Sequence, residues 1–358
     1  MTHFTKARFT KMAGAAVLAG TLGAAASAQA SQLIFPYIVG SSTVSTVLTV
    51  ANLTPAAHPG NGDTQLRYAY MYKAGASATD NDAACARTPT FTLSSATNDV
   101  QSFDVSGKFG ASTRGVLFND PSVNNDWNTG SQNWAALSGQ NLFRAVGFVD
   151  NNNDDTGTSY PAPYLYGEAF IFEFGSGAAW GYQALDDKGT GGAIDVTKFY
   201  QGHHIPFSFL DAYTRFAFMP TTEFSTRFFV TPIIADMDDV TLQGRVEVYP
   251  YVNTDQVAYD RDGNPVGGYV SQTVTCVGGV DIEEMMSGAA STALQNGGWS
   301  RLAIVPPAVA AAGTEGTLFA HVIKLEFNKG STFNGQAMGG TFNNSIVLRN
   351  PRGIYIEE

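Results

Sequence analysis

The sequence contains few charged residues and few cysteines. Charged residues make up 14% of the 358 residues, and 31 acidic against 20 basic side chains give a formal net charge of −11. A nucleic-acid-binding protein needs a basic stripe that displaces counterions from phosphates, so this charge balance argues against nucleic acid as a partner. Neither C-x-x-C nor C-x-x-C-H occurs, which removes the motifs of thioredoxin-like redox chemistry and of covalent haem attachment.

Catalytic motifs are also missing. The sequence has no G-x-S-x-G nucleophile elbow and no phosphate-binding P-loop. Glu173 and Glu326 lie in predicted strands and are of the residue type that glycosidases pair across a scissile bond. They fall at matching places in an apparent repeat, so we interpret them as structural. We therefore predict that the protein is not an enzyme and that it needs no organic cofactor.

The one apolar stretch that reads as a targeting segment is at the N-terminus. Three basic residues precede an Ala-rich stretch at residues 12–26, and residues 28–30 (AQA) have the small-x-small pattern of a cleavage site. This pattern predicts a signal peptide over residues 1–30 and a mature chain that begins at Ser31. No later run reaches the roughly 18 apolar residues that a membrane-spanning helix needs. We expect an exported protein at the cell surface or outside the cell, with the periplasm as the alternative.

Short runs of alternating apolar and polar side chains predict an all-β fold, because side chains of a strand point to opposite faces in turn. Helix is scarce, and residues 282–295 are the best candidate. The predicted strands fall into two series: residues 44–53, 66–73, 88–93, 143–149 and 164–174, followed by residues 214–219, 225–234, 245–252, 269–277, 301–305 and 318–327.

The two series match in order, which predicts an internal duplication. STVLTVANL matches STRFFVTPII, RYAYMY matches RVEVYP, RAVGFV matches RLAIV, and YGEAFIFEF matches FAHVIKLEF, with one cysteine in each series. A repeat of this size fits two tandem antiparallel β-sandwich domains of the immunoglobulin-like or jelly-roll-like kind. We place the first domain at residues 31–210, with a long polar insertion at 112–140, and the second at residues 211–358.

Two cysteines in an exported chain indicate a disulfide. If the repeats are real, Cys85 and Cys276 occupy equivalent places, and one bridge would join the two domains. The alternatives are free thiols or bridges to neighbouring molecules, because equivalent positions can also lie far apart.

The insertion carries the most ligand-like residues. Trp127 and Trp134 stand among several asparagines, including Asn125 and Asn128. Aromatic faces beside amides suit stacking and hydrogen bonding to sugars. The structural alternative is that both tryptophans anchor a long loop to a sheet.

An acidic and amide cluster follows one of the predicted strands. Asp150, Asn152 and Asp154 supply the hard oxygen ligands that Ca²⁺ takes, and they are our candidate for a structural calcium site. The EF-hand spacing fails, since Asp155 stands at its glycine position and Pro161 at its final glutamate position. Turns between strands also collect Asp and Asn for backbone reasons alone.

The opening of the mature chain, LIFPYIVGSSTVSTVLTVANLT, is followed by a tyrosine-rich strand, Cys85 and TNDVQSFDVSG. This part of the chain, mainly residues 32–110, resembles exported β-rich proteins of unassigned function that are encoded near multihaem cytochromes in metal- and sulfur-metabolising bacteria. The resemblance implies a Gram-negative cell-envelope or extracellular setting and proximity to electron-transfer proteins. It supplies no catalytic residues.

We expect a structural or interaction protein of the cell surface that associates with itself or with other envelope proteins through sheet edges. The alternative is a carbohydrate- or matrix-binding protein that uses the tryptophan-rich insertion.

Overall fold

The computed structural model describes residues 32–53, 64–106, 137, 140–151, 165–175, 177–186, 213–234, 241–252, 257–317, 320–330, 332–333, 336–337 and 346–348. Across these ranges the chain is all-β, as the alternating pattern predicts, and its one α-helix has six residues. We call residues 32–186 the first half and residues 213–348 the second half. The predicted domain boundary near residue 210 lies outside the described residues.

The first half contains ten strands and one short 3₁₀ turn at Gly75–Ala78. Their burial follows the period of two that a half-buried strand requires, most clearly in the ninth strand, where buried and exposed residues alternate throughout. The strands are β1 (Gln32–Gly40), β2 (Val44–Asn52), β3 (Thr64–Ala74), β4 (Ala86–Arg87), β5 (Phe91–Ser95), β6 (Val100–Asp104), β7 (Phe143–Asn151), β8 (Leu165–Glu173), β9 (Ala178–Gln183) and β10 (Leu185–Asp186).

The second half follows with strands of similar length. They are β11 (Tyr213–Phe218), β12 (Phe224–Pro232), β13 (Gln243–Pro250), β14 (Ala258–Asp260), β15 (Pro265–Val266), β16 (Gln272–Thr275), β17 (Gly278–Asp281), β18 (Gly298–Val305), β19 (Thr314–Gly316), β20 (Ala320–Asn328), β21 (Thr332–Phe333), β22 (Gln336–Ala337) and β23 (Ile346–Leu348).

Two predicted elements of the second half are divided in the structure. The strand expected over residues 269–277 breaks between β16 and β17, because Cys276 adopts a left-handed backbone with φ of 64°. The helix expected over residues 282–295 is a 3₁₀ turn at Ile282–Met285 and a short helix, α1 (Gly288–Ala293), whose first turn is capped by the Ser287 side chain.

Four main sheets form the molecule, and none of the described strands joins a sheet of the other half. Sheet I has the order β10-β1-β7-β3-β4, with β5 also on β3, and sheet II has the order β6-β2-β8-β9. Sheet III has the order β15-β14-β18-β13-β16, with β11 on β18 and β19 on β13, and sheet IV has the order β17-β12-β20-β23. All of these pairs are antiparallel except the pair of β13 and β19.

The same strand order therefore occurs in both halves. The order β1-β7-β3-β5 in sheet I corresponds to β11-β18-β13-β16 in sheet III, and sheet II corresponds strand for strand to sheet IV. The duplication stays a prediction, and this shared order is the structural feature that it requires.

Two serine–aspartate hydrogen bonds indicate how the halves align. Ser45 on β2 donates to Asp104 on β6 at 2.5 Å, and Ser225 on β12 donates to Asp281 on β17 at 2.7 Å. In the ladders, Ser45 lies opposite Phe172 and Ser225 opposite Phe327. Under this alignment Phe172 corresponds to Phe327. The sequence match instead places Glu173 over Glu326, which differs by two residues from the alignment given by the serine–aspartate hydrogen bonds.

Strand β2 lies inside sheet II and not at its edge. Val47 is opposite Asp104 of β6 on one side and Phe170 of β8 on the other. A central strand needs the hydrogen bonds of both of its sides. A proline at Val47 or Val50 would therefore break the sheet, so this strand offers no surface for association.

The hydrophobic core of the first half continues into the second half. Its buried cluster includes Phe229, Ile233 and Ile323, which lie on or beside sheet IV, together with the side chains between sheets I and II. The opposite face of sheet IV packs against sheet III in a second cluster that contains Phe228 and Val322. Sheet IV is thus buried on both faces, which explains why the sequence of β12 shows an apolar run where a half-buried strand would alternate.

Candidate functional site

The junction between the two halves is held by a disulfide between Cys85 and Cys276. Their Cα atoms are 6.2 Å apart, within the range that a bridge requires, and the described residues contain no free cysteine. The predicted intramolecular pairing is confirmed. The side-chain amide of Gln243 fixes the bridge, because it accepts from the backbone N–H of Cys85 and donates to its carbonyl, each at 2.8 Å.

The junction loop, residues 79–85, carries polar side chains from the first half onto the second. The Asn81 side-chain amide donates to the carbonyl of Gly279 and accepts from its backbone N–H, each at 3.0 Å. It thereby makes the two hydrogen bonds that a neighbouring strand would make at this edge of β17. Arg144 of β7 also donates to the Asn81 oxygen at 3.1 Å. The edge of β17 is therefore covered by the first half.

Asp82 forms the main ion pair of the junction loop. Arg245 of β13 donates two hydrogen bonds to its carboxylate, both of 2.8 Å, and Thr275 of β16 donates a third. The hydrogen bonds from Arg245 lower the pKa of Asp82 below its usual range. One carboxylate thus ties two strands of the second half to a loop of the first and positions the halves. Because Asp82 is half exposed, this ion pair adds little to the free energy of unfolding.

Lys73, the penultimate residue of β3, supports the junction loop from beneath. Its side chain is 2% exposed and donates to the carbonyl oxygens of Asp80 at 3.0 Å and Asn81 at 2.8 Å. Burial, and then the nearby charge of Arg144, lowers the pKa of Lys73 to about 7. A lysine with such a pKa is chemically capable of general-base work. Here its amine is enclosed and already engaged with two carbonyls, so its role is to position the loop.

Aromatic rings fill the centre of the junction. Phe229 of β12 packs on Tyr37 of β1 and stacks on Trp180 of β9, with ring centroids 4.3 and 5.3 Å apart. The Tyr182 hydroxyl donates to the carbonyl of Tyr37 and accepts from its backbone N–H. His321, the second residue of β20, lies against the Tyr182 ring, with ring centroids 6.2 Å apart. Tyr37, Trp180, Tyr182 and Phe229 are all buried, so this arrangement excludes water from the space that the rings fill.

A small pocket adjoins the disulfide. It is lined mainly by apolar side chains, among them Met71, Val146 and Ile234. The disulfide, the Asp82 ion pair and the stacked rings make the junction a rigid connection.

The ligand candidates of the insertion fall outside the described residues: Trp127, Trp134, Asn125 and Asn128. Leu137, near the end of the insertion, is described, and it is buried in the core of the first half. Leu137 itself therefore packs on the first half. The sugar-binding role of the tryptophans stays a prediction.

The calcium candidate is described only in part. Asp150 lies at the end of β7, opposite Gln32 of β1 and Arg67 of β3, while Asn152 and Asp154 lie outside the described residues. Within the described part of the chain, no three His, Cys, Asp or Glu residues come together in a way that would hold a metal ion. Calcium binding stays a prediction.

Sequence reasoning missed an aromatic surface on sheet III. It consists of tyrosines and a tryptophan on the face that points away from the core, including Tyr249 and Trp299. The signal was present in the sequence, because Trp299 and Arg301 stand two residues apart on β18, and Tyr251 follows Tyr249 of β13 at the same spacing.

In the part of the chain that the structure describes, no helix has the length and apolar character that would let it cross a membrane. No protein-family model, curated protein or solved structure matches the chain.

Proposed function

We propose that the protein is an exported interaction protein of the cell envelope or cell exterior, which acts by presenting surface and associates with further copies of itself through the edge of sheet III. The observation that carries the proposal is the edge strand β11. It has six residues and pairs with β18 on one side, and no other described strand pairs with its second side.

An unpaired strand edge is a row of backbone donors and acceptors that a second strand can complete. Natural edges are commonly protected by charged residues, by proline or by a covering loop. Strand β11 (YTRFAF) has a single charged residue, Arg215, and no proline. By contrast, the edge of β17 is occupied by Asn81. Of these two edges of the second half, β11 is therefore the better surface for association.

Export is supported by two independent features. The basic and apolar N-terminal pattern predicts cleavage before Ser31. The bridge between Cys85 and Cys276 is of the kind that persists in oxidising compartments outside the cytosol. Electron-transfer proteins, which the family resemblance implies as neighbours, are candidate partners in that setting.

A role without catalysis is supported by how the buried charged groups are used. Lys324 and Glu326 form an ion pair of 2.5 Å, and Thr226 donates to the same carboxylate at 2.5 Å. Lys73 is engaged with two carbonyls of the junction loop. These groups satisfy one another inside the fold, as a structural network does.

The test is sedimentation velocity of the mature protein over a range of concentrations. We expect concentration-dependent association of the wild type and its loss in Ala217→Lys, because Ala217 is an exposed residue of β11 and lysine protects a strand edge. Ala312→Lys adds the same charge at an exposed turn away from that edge and should associate as the wild type does. A wild type that stays monomeric at every concentration would refute the proposal, as would equal loss in both variants.

A further inference from the structure

The outer face of sheet III carries aromatic side chains in an ordered arrangement. In β18, Leu302 and Ile304 point into the second core, so the odd-numbered residues point outward. The same alternation in β13 places Val246 and Val248 inside. We call the outward group the aromatic face; its members are Tyr249, Tyr251, Tyr259, Tyr269 and Trp299 with Arg215 and Arg301.

The aromatic face contains two stacked ring pairs. Tyr259 and Trp299 are direct partners in the ladder between β14 and β18, with ring centroids 5.0 Å apart and planes 14° from parallel. Tyr249 and Tyr269 stack at 4.6 Å and 15°. Trp299 is 38% exposed and Tyr269 48%, although rings of this size are usually more deeply buried. Each pair is thus held rigid by its partner and remains open to solvent.

Two arginines lie beside the stacked pairs. Arg215 of β11 and Arg301 of β18 are directly opposite each other in the ladder, two positions along β18 from Trp299. Tyr249 is opposite Ala303, a further two positions along. With a rise of about 3.3 Å per residue, the ladder positions of the two stacked pairs are about 13 Å apart along β18, and Arg301 stands midway. Arg215 is its neighbour on the side of β18 that faces away from Tyr249 and Tyr259.

The two arginines have no acidic partner in the described part of the chain. Like charges that face each other across a ladder destabilise a sheet. Two other arginines do have acidic partners, Arg227 with Asp281 and Arg245 with Asp82. The Nε of Arg301 is buried and makes no hydrogen bond. An anion bound between the two guanidinium groups would remove this repulsion.

We propose that the aromatic face binds an acidic polysaccharide, in which sugar rings stack on the two aromatic pairs and a uronate carboxylate lies between Arg215 and Arg301. Sugar rings present C–H faces that pack on aromatic rings. The planar fork of a guanidinium matches a carboxylate in a bidentate geometry. A uronate polymer supplies both parts, since its sugar rings can stack on the aromatic pairs and one of its carboxylates can lie at the arginine pair.

The charge of the whole protein favours this occupant over nucleic acid. Nucleic-acid binding depends on neutralising many phosphates, and a formal net charge of −11 opposes this for any polyanion. Uronate binding at this face rests instead on one carboxylate at the arginine pair and on uncharged contacts between sugar and aromatic rings. This inference concerns a ligand site and does not depend on association through β11.

The experiment is calorimetric titration of the mature protein with oligogalacturonate, and with the same oligomer in its fully methyl-esterified form, which keeps the rings and removes the charges. The double variant Arg215→Gln and Arg301→Gln should weaken binding of the acid form at least tenfold and bring it to the level of the ester. Trp299→Ala should weaken both forms. Arg261→Gln, at an exposed turn outside the aromatic face, is the matched control and should bind as the wild type does.

The unfolding midpoint of the double variant should equal or exceed that of the wild type, because the change removes a repulsion. Equal affinity for the acid and ester forms, no binding of the acid form, or unchanged binding by the double variant would each overturn the proposal. Titration at a protein concentration at which sedimentation velocity shows only monomer separates the two proposals. The monomer should bind oligogalacturonate, and a wild type that associates but fails to bind it would refute the ligand site alone.

Discussion

Lys73 makes the stability of the protein depend on pH in a direction that is unusual for a lysine. The pKa of Lys73 is about 7 in the folded protein, lowered from 10.5 first by burial and then by Arg144, against the smaller opposing effects of Asp80 and Asp82. Between pH 7 and pH 10.5, Lys73 is protonated in the unfolded chain and deprotonated in the folded chain. Raising the pH therefore favours the folded state across this window, and below pH 7 the effect is absent.

The size of the effect follows from the shift. Between pH 6 and pH 9.5, a change of pKa from 10.5 to about 7 raises the free energy of unfolding by about 3 kcal/mol. The pKa values of the buried tyrosines Tyr70 and Tyr182 are raised above 10, so they titrate above this window. Disulfide exchange does not interfere, because the only two cysteines of the sequence are bridged to each other.

Urea denaturation at pH 6 and pH 9.5 measures the effect. The wild type should gain about 3 kcal/mol from this lysine at the higher pH, and Lys73→Met should lose that gain. Lys329→Met is the matched control, since Lys329 is partly exposed and pairs with Glu283 at the surface. A wild type with the same stability at both values, or a Lys73→Met variant that keeps the gain, would show that Lys73 is not the cause.

Three further outcomes are expected. The double variant Cys85→Ser and Cys276→Ser should lower the free energy of unfolding by about 5 kcal/mol in the chain-entropy model, because the bridge spans 191 residues; reduced wild type should match it in denaturation experiments. Phe229→Ala should cost about 3 to 5 kcal/mol, measured by chemical denaturation, because it removes a buried ring that contacts both Tyr37 and Trp180. Mass spectrometry of the exported protein should find Ser31 as its first residue, and retention of the preceding segment would contradict the signal peptide.

The sequence by itself determined the fold class and the broad positions of the long strands. The alternation of RVEVYPYV and of the YGEAFIFEF segment is a local property, since neighbouring side chains of a strand point to opposite faces whatever lies beyond them. The sequence also favoured a bridge between Cys85 and Cys276, through the matching order of two strand series, but left free thiols and bridges to other molecules open. Each of these inferences used residues that are close in sequence or a count of two cysteines.

The tertiary structure decided where each strand lies in its sheet and what covers it. Strand β2 is central and β11 is an edge, although both alternate in sequence, because the neighbours of a strand come from distant parts of the chain. Phe229 meets Tyr37 and Trp180, and Lys73 is enclosed beside Arg144, only when the halves pack together. The pKa of Lys73, the double burial of sheet IV and the opposition of Arg215 to Arg301 all depend on contacts between residues far apart in sequence, which local patterns do not encode.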